Sequence, residues 1–190
     1  IDDVAIMRTA CALQALDSDA DGLLAAIEAF VALVRGLDQQ IDAEADAPWA
    51  EAVSAARVTV GEAVDDLLRP VPATIADALP ATGFGAYAGA PVPQCAIATW
   101  PDAEAVGRAM TAANFLAATR SLAADAGFAD SHGRVEAEAA HYLEHYGEAL
   151  VAALDGADPE SRKRADAYLE AATRMTSFVM SDQDAALLWE

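Results

Sequence analysis

Cysteine is scarce in this chain. Cys11 and Cys95 are the only two among 190 residues, and no Cys-x-x-Cys pair occurs. That argues against a disulfide framework and for a reducing compartment, so the expected location is cytoplasmic. Lysine is scarcer still: Lys163 stands alone. Aromatic residues make up only 6%. No apolar run reaches the length of a membrane span: the closest, from Leu23 to Val34, is short and carries Glu28. No signal-peptide pattern is visible. Gly-x-Ser-x-Gly, Walker and dinucleotide fingerprints are all missing, so nothing points to an enzyme or to a bound cofactor.

Acid is what the chain has in excess. Thirty-one Asp and Glu face 11 Lys and Arg, a formal net charge of −20. Such a field repels nucleic acid and anionic membrane surfaces, keeps the chain soluble, and draws cationic partners toward it. Hydrophobic residues reach 55%, a figure inflated by alanine, the best helix former. The expected fold is therefore all-α, a single-domain bundle of six or seven helices over residues 1–190.

Helical spacing of apolar residues supports this. Val4, Met7 and Cys11 mark a first helix, which ends in the Asp-rich stretch Asp17 to Gly22. Leu23, Ile27, Phe30, Val31 and Val34 mark a second. A third opens near Pro48 and carries Trp49, Val53, Val60, Val64 and Leu67. Residues 70–101 hold six of the eight prolines together with Gly83, Gly85 and Gly89. They read as a long Pro/Gly-rich loop with room for a short helix over Thr74 to Leu79. A fourth helix follows Trp100-Pro101-Asp102 and runs to Gly127. A fifth spans about Ser131 to Leu154, a sixth starts at Asp158-Pro159, and Leu187 to Trp189 suggest a short terminal one.

Two constellations carry metal-like spacing. Asp17-x-Asp19-x-Asp21-Gly22, with Glu28 at the twelfth position, matches a calcium-binding loop. The alternative is an Asp-capped turn between helices. Glu138, His141, His145 and Glu148 line one strip of the fifth helix, where His at i and i+4 can share a metal. On a helical wheel that strip lies opposite the apolar arc of Val135, Ala139, Tyr142, Tyr146 and Leu150, which places it in solvent. No metal is therefore assigned. A metal-binding helical protein and a small helical ligand-binding protein remain as alternatives to the reading that follows.

The run from Ala129 to Leu143 has an Asp and a His before a helix, then Glu136-x-Glu138, then Tyr142-Leu143. It resembles the hinge of the TorD/DmsD/NarJ family of molybdoenzyme maturation chaperones. His132, Glu136, Glu138, Tyr142 and Leu143 keep that family's register, and Ser131 stands between Asp130 and His132. The close resemblance covers about residues 106 to 154. It implies an all-α chaperone, a monomer or domain-swapped dimer, with a hinge near residues 127–133. It implies a partner too: the precursor of a molybdenum-containing oxidoreductase catalytic subunit, bound through its twin-arginine leader or its body. Asp130 and His132 would line the leader-binding region, with Glu136 close by. Tyr87 and Trp100, in the Pro/Gly-rich segment, are candidate contacts for the apolar part of the leader.

Overall fold

The computed structural model describes residues 2–39, 47–87, 90–154 and 157–180, with side chains for all of these except 2–10, 47 and 82–94. The fold is all-α with one small hairpin. Among the described residues the helices are α1 (Asp2–Asp38), α2 (Ala47–Leu68), α3 (Val71–Ala78), α4 (Ala103–Thr119), α5 (Ala123–Ala126), α6 (Ala129–Leu154) and α7 (Pro159–Val179). Strands β1 (Ala81–Tyr87) and β2 (Ala90–Cys95) lie between α3 and α4. No described helix is long and apolar enough to cross a membrane. The terminal helix expected at Leu187 to Trp189 lies outside the described residues.

The expected break at Asp17 to Gly22 is a kink inside α1 and not a loop. Asp19 leaves the helical region (φ −159°, ψ 53°). Its carboxylate accepts the backbone N–H of Gly22 at 3.0 Å, capping the helix that resumes there. Asp21 and Glu28 then sit on helix, so the calcium-type loop is not formed. The acid at its third position already holds a backbone N–H.

The segment read as a long loop is ordered into α3 and the hairpin. Val71, Thr74, Ile75 and Ala78 are the buried face of α3, whose second residue is a proline. The hairpin is antiparallel, pairing Phe84 with Pro93 and Ala86 with Pro91, with a register shift between Ala81 and Gly83. Prolines argue against a central strand. In a two-stranded ribbon both strands are edges, so proline positions without a donor are tolerated. The Ala96 N–H donates to the Pro80 carbonyl at 3.0 Å and closes the base of the ribbon.

The fourth expected helix also divides. α4 ends at Thr119, and α5 follows after a short turn and is closed by Gly127 in the left-handed region (φ 85°). α6 starts at Ala129, so Asp130 and Ser131 fall in its first turn and not ahead of it.

The described chain forms two compact units: residues 1–70 with 118–134, and residues 71–117 with 135–190. In the first, α1 packs on α2 and α5, and α2 on α5. Leu16, Ile27, Val31 and Val34 of α1 and Val53, Val64 and Leu68 of α2 are buried there; the apolar spacing marked Ile27, Val31, Val34, Val53 and Val64, but Cys11 and Trp49 of the expected stripes are exposed and Leu68 is buried in place of Leu67. In the second, Leu116 of α4, Leu143, Tyr146 and Leu150 of α6, and Tyr168, Met175 and Val179 of α7 are fully enclosed or nearly so. Asp158 caps α7, accepting from the backbone N–H groups of Glu160 and Ser161.

Candidate functional site

An open groove of about 710 Å³ lies in the first unit between one face of α2 and the segment Gly127–Arg134. Val58, Gly61, Glu62 and Asp65 supply the α2 wall. Their spacing of three and four residues puts them on one helical face. Phe128, Ala129, Asp130, Ser131 and Arg134 supply the other wall.

Two glycines make the approach of these walls possible. A Cβ on Gly61 would stand 2.8 Å from the Gly127 carbonyl oxygen, and one on Gly127 3.0 Å from the Arg57 carbonyl oxygen. Gly127 also has the positive φ that disfavours any other residue. Charged side chains hold the same junction from outside the groove. Arg57 donates to the Asp125 carbonyl at 3.1 Å and pairs with Asp38, and Arg35 pairs with Asp125 at 2.6 Å.

The groove is acidic on an apolar base. Phe128 is buried beneath it, and Val58 is 58% exposed along it. Of its three carboxylates, Asp65 is engaged by Arg69 at 2.6 Å and by Arg134 at 3.3 Å. Glu62 and Asp130 make no ion pair among the described residues, and both are exposed. Such an arrangement can hold a cationic group against an apolar neighbour, guanidinium above all, because its planar donors match carboxylate oxygens in pairs.

The site residues expected from the sequence take different places. Asp130 lines the groove. His132 lies below the surface, 3% exposed, its ring 6.3 Å from that of Phe128. Glu136 is half-buried one helical turn further along α6. Trp100 belongs to the second unit, where it stands 56% exposed beside a groove of about 300 Å³. Val106 and Met110 of α4 and Glu170 and Arg174 of α7 share that groove. The turn bearing Trp100 is clamped: Arg164 donates to the Ile97 carbonyl at 2.9 Å, and Asp102 caps α4 through the Glu104 N–H at 2.9 Å. Tyr87 ends β1, and its side chain lies outside the described residues.

Glu62 and Asp65 were not expected from the sequence. Their i, i+3 spacing on a helix was visible, but nothing in the chain's order joins them to residues 127–134, some 65 positions on.

The metal-like constellations do not converge. Among the described residues no group of three or more His, Cys, Asp or Glu side chains is placed to share a metal ion. The His141 and His145 rings meet edge to face with centroids 4.3 Å apart, and His145 Nδ1 lies 3.4 Å from Glu148. His141 is exposed and His145 half-buried.

The second unit carries a buried polar cluster of another kind. The Tyr142 hydroxyl donates to the Leu79 carbonyl at 2.6 Å, and the Cys95 thiol lies 3.5 Å from the Tyr146 carbonyl oxygen. Burial pushes the Cys95 thiol up to about 11 and the Tyr142 phenol up to about 12. It drives the Tyr146 phenol upward as well. Burial favours the neutral forms of these groups, which suits them to packing inside the unit. Comparison with family models, curated proteins and solved structures found no match.

Proposed function

We propose that the protein is a cytoplasmic maturation chaperone that binds the twin-arginine leader of a molybdenum-containing oxidoreductase precursor in the α2 groove. One observation carries the reading. The groove sets two carboxylates that make no ion pair among the described residues, Glu62 and Asp130, beside an exposed apolar side chain, Val58. A leader of this class offers the complement: adjacent arginines followed by an apolar stretch. Asp130 is also one of the residues, with His132 and Glu136, that the resemblance to the TorD/DmsD/NarJ family implies for the leader-binding region. The net charge of −20 assists by steering a cationic segment inward, an effect that fades as salt rises. Trp100 and Tyr87 remain candidate contacts for apolar residues of the same client.

The test is a titration of a fluorescently labelled twin-arginine leader peptide, followed by anisotropy. The double variant Glu62→Gln/Asp130→Asn should lose affinity by on the order of tenfold, since hydrogen bonds to charged groups contribute about 1.5–3 kcal/mol each before solvent screening. A twin-lysine peptide should bind the native protein more weakly than the arginine peptide. Equal affinity of the native and double-variant proteins would remove the groove from the reading.

A further inference from the structure

We propose that Arg134 is an internal occupant of the α2 groove, masking Asp65, and that a ligand guanidinium gains Asp65 by displacing it. The inference rests on the reading of this groove as a site for a guanidinium-bearing peptide.

Asp65 is held from two sides. Arg69 Nη2 lies 2.6 Å from Oδ2, and Arg134 Nη2 lies 3.3 Å from Oδ1. The two contacts differ in kind. Arg69 is one turn along the same helix, and it also holds Asp66 at 2.9 Å, so its pair belongs to the surface of α2. Arg134 reaches Asp65 from α6, the opposite wall, with a longer bond and a side chain 67% exposed against 22% for Asp65.

Arg134 also has a carboxylate closer to it in sequence, within its own helix. Asp130 lies four residues before it, the acid-then-base order that favours pairing on a helix face. The same spacing closes at Glu104 and Arg108 of α4, at 2.8 Å. Arg134 instead spans the groove, leaving Asp130 open. The groove thus already seats one guanidinium, supplied by the chain itself, and it does so at the carboxylate oxygen that Arg69 does not use.

A consequence follows for selectivity. A single arginine can settle on Glu62 or Asp130 without disturbing Arg134. A second, adjacent arginine can take the other of these two or gain Asp65, and Asp65 is released only by exchange of one guanidinium for another. Exchange keeps Asp65 paired throughout, so no buried or half-buried carboxylate is stranded. Long, exposed ion pairs are individually weak, which makes the exchange accessible.

Labelled twin-arginine peptide is titrated against the native protein, Arg134→Gln, Asp65→Asn, the Arg134→Gln/Asp65→Asn double variant, and Arg162→Gln. The last removes one exposed positive charge from α7 and serves as the charge control. Arg134→Gln should bind roughly two- to fivefold more tightly than native, the scale of a released surface pair, and Arg162→Gln should match native. In the Asp65→Asn background the Arg134 substitution should bring no gain, because the carboxylate it unmasks is gone. Thermal unfolding of each variant checks that it is folded. A gain that persists without Asp65, or that Arg162→Gln reproduces, overturns the displacement. If the native protein still binds through Glu62 and Asp130 in that case, the groove reading survives alone. Should no form bind the peptide, both fall together.

Discussion

In the unit formed by residues 1–70 and 118–134, an aliphatic core between α1 and α2 is joined to α5 through backbone and charge. Gly61 lies against the Gly127 carbonyl, and Arg57 and Arg35 bind the α5 turn through Asp125. In the unit formed by residues 71–117 and 135–190, helices are filled with large side chains. Tyr146, Tyr168, Leu143, Leu150 and Met175 are enclosed, with polar atoms of Tyr142 and Cys95 among them. The difference teaches where each unit can afford charge. Glycine contacts bring helices together without filling the space beside them, which leaves a groove whose walls can carry Glu62, Asp65 and Asp130. In a core packed by tyrosine and leucine the polar atoms stay neutral, because an unpaired charge there would be costly.

Breaking the glycine contact should have the largest effect. Gly61→Ala places a methyl against backbone that cannot swing away, and Gly127→Ala adds a left-handed φ. Each should lower stability by about 1–3 kcal/mol in urea unfolding and should weaken peptide binding as well. Tolerance of both would mean that the first unit is held by its side chains after all. In the second unit Tyr142→Phe should cost about 0.5–1.5 kcal/mol, because it leaves the Leu79 carbonyl without its donor. Tyr146→Phe should differ in sign. That hydroxyl is buried with no hydrogen-bond partner among the described residues, so its removal should leave stability unchanged or raised by up to about 1 kcal/mol. A loss matching that of Tyr142→Phe would show a partnered hydroxyl.

The smallest effect is expected at the rim of the second unit, at Asp158. Hydrogen bonds from the Ser161 hydroxyl and from the Ser161 and Glu160 backbone N–H groups hold its carboxyl below the ordinary value. A carboxyl depressed by folding stabilises at pH values above its unfolded pKa, about 3.9, and that contribution is lost as pH falls through the lower folded value. Asp158→Ala should therefore melt below the native protein at pH 7, and the two melting temperatures should converge in strong acid. A gap that stays constant with pH would mean that the cap acts through shape alone.

Local signals were legible where the chemistry is local. The buried stripe of α6 and the Ile27–Val34 part of α1 match the apolar spacing, and the Asp158-Pro159 start of α7 is a cap and first-turn proline in sequence as in structure; Trp49, expected inside, is exposed. The kink at Asp19 was visible as an Asp-rich break, although its spacing imitated a calcium loop. Alternating oxygens and a terminal glutamate are shared by both, and only the backbone conformation separates them. Residues 81–95 were misread for a physical reason: proline and glycine weaken any strand taken alone, and only the pairing of Phe84 with Pro93 and Ala86 with Pro91 shows a ribbon. Of the groove, Asp130 was legible through the resemblance, whereas Glu62, Asp65 and Gly61 were not.

What the sequence determined by itself is helix content, the buried faces of α6 and α7, the scarcity of positive charge and the capping residues, whereas the α4 stripe of Val106 and Met110 is half-exposed and Ala105, Ala109, Ala112 and Leu116 are buried in its place. Tertiary structure alone decided which acids share a groove and which of them stay open. Glu62 and Asp130 stand 68 positions apart in the chain. They line one groove because Gly61 and Gly127 let two backbones come close. Arg134 passes over the carboxylate four residues away to reach Asp65 on the other wall, a choice set by distance in space and not by order along the chain.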